Sequence, residues 1–61
     1  MYTLNELAEE VAETEAVLAS TTDEKERVVL LGIRGSWLRE LEIMLPDADE
    51  RRRLLAGARR V

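Results

Sequence analysis

The side chains that most often carry chemistry are scarce in this chain, and two kinds are missing. There is no histidine and no cysteine among the 61 residues. Disulfides, thiolate nucleophiles and the two best zinc ligands are therefore excluded together. What remains is carboxylate and guanidinium. Glu6, Glu9, Glu10 and Glu13 recur at steps of three and four, the spacing that gathers side chains on one side of a helix. Carboxylates so placed can serve as an acid–base pair or as part of a di-iron site. The di-iron pattern, however, takes Glu-x-x-His pairs from two of its helices. Without histidine, the acidic face reads as solvated. Serine, threonine and lysine lack a histidine base as well. The sequence thus predicts a protein that is not an enzyme, with no catalytic residue, no cofactor and no metal.

The guanidinium groups point to binding rather than to reaction. Arg51, Arg52 and Arg53 are consecutive, and Arg59 and Arg60 extend the cluster. Such a run fits nucleic-acid phosphates or an acidic partner. Two features oppose the nucleic-acid reading. The formal net charge is −4, and Tyr2 and Trp37 are the only aromatics, too few to stack bases. Consecutive residues also splay over about 200° around a helix, so the three arginines do not share one face. Charge is spread unevenly along the chain. Residues 1–26 sum to −7, residues 27–45 to +1 and residues 46–61 to +2, which together make −4. An acidic front and a basic tail attract each other, within one chain or between two.

Three helices position these groups. Thr3 and Glu6 form a capping box, with Tyr2 and Leu7 spaced as a hydrophobic staple. Leu4, Leu7, Val11 and Leu18 then follow in steps of three and four, with Thr14 at the missing step, so helix 1 is predicted over residues 4–19. Thr21 with Glu24 repeats the box and starts helix 2 near residue 22. Pro46 ends it at residue 45, because the residue before proline avoids helical backbone. Asp47 with Glu50 caps helix 3, predicted over residues 47–60, with Leu54, Leu55, Ala58 and Val61 as its apolar face. No stretch alternates apolar and polar residues in the manner of a strand.

Helix 2 carries two apolar stripes. The broad one holds Leu30, Leu31, Ile33, Trp37, Leu38, Leu41, Met44 and Leu45. The thin one holds Val29, Gly32, Ser36 and Ile43, with Arg39 at the missing step. Both pass through the stretch G-I-R-G-S-W, residues 32–37. Gly35 followed by Ser36 has the residue types of a C-cap and a new N-cap, which would split the helix. Gly32-Ile33-Arg34-Gly35 also superficially resembles the G-x-x-G loop of KH RNA-binding domains, but that fold needs a sheet that this sequence lacks. The broad stripe keeps its phase across the stretch, from Leu30 through Ile33 and Trp37 to Leu41, so the expectation is one continuous helix. Gly32 and Ser36 then form a shallow groove where a second backbone comes close. Arg34 falls in the broad stripe, level with Leu7 and within reach of Glu6 or Glu10; Arg27 lies level with Thr14 and Glu15.

A single domain this small buries only about 60% of its unfolded surface and usually needs a staple. With disulfides and metals excluded, association between chains is the staple left. The expected fold is all-α: a helical hairpin whose short third helix folds over the far end, assembling as a homodimer into a four-helix-like bundle. The expected interface is Val29, Gly32, Ser36, Trp37, Leu41, Ile43 and Met44. The expected function is a regulator, adaptor or inhibitor that acts on a protein partner by helix-to-helix contact. The alternatives are a nucleic-acid-binding regulator using Arg51, Arg52, Arg53, Arg59 and Arg60, or a structural subunit of a larger assembly. The acidic amino end and the lack of a long apolar run predict no signal peptide, no membrane contact and a cytoplasmic location.

Overall fold

The computed structural model describes residues 1–60, and it is built from three helices: α1, Leu4–Ser20; α2, Glu24–Met44; and α3, Ala48–Arg59. There is no strand among the described residues. Val61, expected on the apolar face of α3, lies outside them.

Each helix starts on a side chain that satisfies its free amides. Thr3 caps α1 through the full capping box. Its hydroxyl accepts from the Glu6 amide at 3.1 Å, and the Glu6 carboxylate accepts from the Thr3 amide at 3.0 Å. Tyr2, expected to staple onto Leu7, lies edge-on to Trp37 with ring centroids 5.0 Å apart. The cap of α2 is a correction. It is Asp23, not Thr21, and it accepts from the amides of Lys25 and Glu26 at 2.9 and 3.1 Å. Aspartate caps at least as well as threonine, and Thr21 is used elsewhere. Its hydroxyl donates to the Val17 carbonyl at 2.6 Å and its amide to Leu18 at 3.2 Å, closing the orphan carbonyls of α1. Asp47 caps α3, as the sequence predicts, accepting from the Glu50 amide at 2.9 Å.

Both turns are tied again by an arginine four residues past the capping aspartate. Arg27 donates to the carbonyls of Leu18 and Thr21 at 2.8 and 3.0 Å. Arg51 donates to those of Leu45 and Pro46 at 2.8 and 2.6 Å. Each guanidinium thus sits at the carboxyl end of the preceding helix, where its charge also complements the helix dipole.

Helix α2 runs unbroken through Gly32 and Gly35, and no glycine has positive φ among the described residues. The middle helix of the packing is α1, which takes α2 on one flank and α3 on the other, while α2 and α3 barely meet. The core is Leu7, Ala8 and Val11 from α1, Leu41 from α2 and Leu55 from α3. Leu4, Trp37, Leu38, Leu54 and Ala58 close around it. As the sequence predicts, α3 is a short third helix folded back on the hairpin: it lies along α1, and Leu54, Leu55 and Ala58 join Leu4, Leu7, Trp37 and Leu41 at the end far from the first turn. Ala8, Ala12 and Ala16 line the seam with Leu54, Gly57 and Ala58, and small side chains on both helices permit close approach.

Candidate interaction surface

The two stripes of α2 have opposite fates. Gly32 and Leu41 are nine residues apart, which at about 100° per residue sets them about 180° apart around the helix. Leu41 is fully buried, at 0% exposure. The opposite side of the helix faces outward: Val29, Gly32, Ser36 and Ile43 are all exposed. Val28 joins them, and Val28, Val29 and Ile43 keep 68%, 61% and 70% of their surface exposed. A shallow groove continues this surface onto α1, where Val17 faces Val29 and Leu30. Beyond the adjoining residues and the helix's own backbone, no atom of the described residues lies within 4 Å of where a Cβ would stand on Gly32 or Gly35. The Ser36 hydroxyl donates back to the Gly32 carbonyl at 3.1 Å, so it makes no demand on that surface.

The expected interface residues are therefore divided. Val29, Gly32, Ser36 and Ile43 share the outer face. Leu41 belongs to the chain's own core, and no partner reaches it without opening the bundle. Trp37 is half-buried beside that core, with Tyr2 covering part of its ring. Met44 is exposed on the flank. Leu31 and Ile33, assigned to the inner stripe by phase, are exposed as well. They stand about 80° to either side of Leu41, outside the narrow wedge that a single neighbouring helix covers.

The basic cluster is taken apart by the fold. Arg51 is spent on the turn before α3. Arg52 pairs with Asp49 at 2.9 Å on the open surface. Arg59 reaches across to α1 and grips Glu15 with two contacts, 2.6 and 2.8 Å. Among the described residues, Arg53 and Arg60 make no ion pair.

Glu15 is the ionic hub of the bundle. Arg34 of α2 donates to it at 3.0 Å while Arg59 of α3 donates from the other side, so one carboxylate links three helices. The hydrogen bond from Arg59, helped by that from Arg34, holds the Glu15 carboxyl below the ordinary glutamate range against the opposing effect of partial burial. The same contact raises Arg59. Sequence register places Arg34 near Glu6 or Glu10, and the observed partner corrects this. Helical side chains tilt toward the amino end of their helix. In an antiparallel pair that carries Arg34 toward the turn and Glu15 away from it, so they meet from different levels. Among the described residues, no group of carboxylates is arranged to hold a metal ion. No described helix is long and apolar enough to cross a membrane.

Sequence reasoning missed two things that the sequence contains. One is the Asp-x-x-x-Arg spacing at Asp23–Arg27 and Asp47–Arg51, which marks both turns. The other is the amino-terminal step of the outer stripe: continuing back from Val29 by four residues reaches Lys25. Compared with known proteins, the chain matches no family model, no curated protein and no solved structure.

Proposed function

We propose that this chain is a small non-enzymatic helical interaction protein, a regulator, adaptor or inhibitor, that works by helix-to-helix contact through the outer face of α2 and associates with itself. One observation carries the reading. A helix whose inner side already holds the core exposes Val28, Val29 and Ile43 on its opposite side, each 61% exposed or more. The water-facing side of a surface helix is normally charged or polar, and exposed apolar patches mark places where another molecule sits. The central glycine and serine of that face add room for a close neighbour. The reading has a homodimer as its working form and the cytoplasm as its compartment.

Sedimentation across a dilution series tests it. The chain is expected to pass from monomer to dimer with concentration. A double variant, Val29→Glu with Ile43→Glu, is expected to remain helical by circular dichroism and to stay monomeric throughout. Wild-type chain that is monomeric at every concentration overturns the self-association reading.

A further inference from the structure

Helix α3 is attached to the chain differently from the other two helices. It packs along α1 and barely meets α2. Among its described residues Leu55 alone is buried, with Leu54 and Ala58 half-buried beside it. Open grooves flank the seam on both sides, one lined by Glu9, Ala12, Ala16 and Arg59 and the other by Asn5, Arg53 and Gly57. Water thus reaches either edge of the contact. Yet Leu55 closes a cluster with the best-covered side chains of the hairpin: Leu7, Ala8, Val11 and Leu41, each 1% exposed or less.

The two ends of α3 are held in different ways. At its start, Leu45, Pro46 and Asp47 make a three-residue connection, clamped by Arg51 on the carbonyls of Leu45 and Pro46. At its far end the fastening is ionic, where Arg59 grips Glu15. Both side chains stay partly open to solvent, at 43% and 25%. Ion pairs so exposed contribute little and are screened by salt. Nor can α3 hold its helix alone. Twelve residues are marginal in water, and Gly57 lowers the helix propensity further. The hairpin, by contrast, has fastenings of its own. Leu18 is buried outside that cluster, Arg27 ties the first turn, and Arg34 holds Glu15 from α2.

We propose that α3 is a strap: it releases from α1 as a unit, pivoting on residues 45–47 and unlatching at Glu15, while α1 and α2 stay paired. Its release bares the apolar floor of Leu7, Ala8, Val11 and Leu41, so the strap governs access to the inner side of the hairpin. Salt, which screens the latch, shifts it toward release. The inference stands apart from association through the outer face of α2, because Leu41 and Gly32 are on opposite sides of that helix.

Hydrogen exchange of the intact chain in dilute solution, followed amide by amide, tests this. After correction for intrinsic rates, the interior amides of α3 are expected to exchange about tenfold or more faster than the slowest amides of α1 and α2. Their urea dependence is expected to be weaker, since opening the strap exposes less surface than unfolding the chain. Arg59→Ala is expected to speed exchange in α3 by up to about fivefold, the factor for an exposed ion pair. Asp23→Ala, which removes the cap of α2 at the first turn, is expected to speed the slowest amides of α1 and α2 and to leave those of α3 unchanged. Both positions are exposed, and circular dichroism checks that each variant stays helical. A wild type whose α3 amides match those of α1 and α2 in rate and urea dependence overturns the strap. So does an Asp23→Ala chain in which all three helices speed up together. Exchange in α3 that is indifferent to Arg59→Ala overturns the latch at Glu15.

Discussion

Replacing the glycines of α2 with alanine separates what the fold needs from what an associated chain needs. Gly32 and Gly35 lie near the middle of a 21-residue helix, where glycine costs about 0.8–1.0 kcal/mol relative to alanine. Neither has positive φ, and beyond the adjoining residues and the helix's own backbone no atom of the described residues stands within 4 Å of the added methyl. The isolated chain therefore gives up about 2 kcal/mol for the pair. For a domain of this length, whose whole stability is on the order of 3–9 kcal/mol, that is a large share. Each of Gly32→Ala and Gly35→Ala should raise the thermal midpoint of dilute protein by about 4–8 °C. The two should differ when the protein is concentrated. Association raises the midpoint with concentration, and Gly32 is at the centre of the outer face while Gly35 is toward its edge. Gly32→Leu should then gain helix stability in dilute solution and lose the concentration dependence, and Gly35→Ala should keep it. Circular dichroism melts at both ends of a dilution series read all of this. A dilute Gly32→Ala melting below wild type refutes the claim that this face is open in the folded chain. A Gly32→Leu variant with undiminished concentration dependence refutes close contact at that position.

Other changes test the remaining elements. Glu15→Gln removes the carboxylate shared by Arg34 and Arg59 and should destabilise the bundle by about 1 kcal/mol or less, given how exposed the three side chains remain. Because folding favours the ionised form of Glu15, the stability it adds is complete above the unfolded-state glutamate pKa and is lost as pH falls through the lower folded-state value. Urea midpoints of wild type should drop across that acidic window more steeply than those of Glu15→Gln. Asp23→Ala and Asp47→Ala should each cost about 1 kcal/mol as lost caps, whereas Thr22→Ala should stay within about 0.5 kcal/mol, as for a surface change away from such features. Arg51→Ala should cost about 1–2 kcal/mol, because its charged hydrogen bonds close a turn, and Arg52→Ala should change little, since its ion pair with Asp49 is on the open surface. A titration of the chain against DNA and RNA at two salt concentrations should give no salt-sensitive binding, since the fold diverts Arg51, Arg52 and Arg59 to other partners.

The helices were legible in the sequence because caps and periodicity are local. Thr3 with Glu6, the 3–4 steps of α1, Asp47 with Glu50 and the stop at Pro46 all act within a few residues of themselves. The continuity of α2 through G-I-R-G-S-W was legible for the same reason, since Leu30, Trp37 and Leu41 keep one phase. What local reasoning could not fix was the order of packing. The inner stripe of α2 contains enough apolar residues for two neighbours, and the sequence does not say that α3 prefers the alanine flank of α1. That choice decides which half of the stripe is covered. Leu41 gains full burial between α1 and α3, while Leu31, Ile33 and Met44 remain at the surface. The pairing of Glu15 was hidden for a related reason. It depends on side-chain tilt in two helices and on a third helix arriving from 44 residues away.

The outer face of α2 owes its availability to this division of labour. With α1 in the middle and the core on its inner side, the arginines at positions 27, 34, 51 and 59 are drawn into closing turns and fastening helices. They fasten the bundle at its surface, and a nucleic acid or acidic partner would have to compete for them. Lys25 and Arg39 are different: both lie on the outward side of α2, away from the core. Along that seam the residues between them are valine, glycine and serine, with isoleucine beyond Arg39. A cation kept on an apolar seam is a device for choosing between orientations of a partner helix, since it penalises the wrong one more than it stabilises the right one.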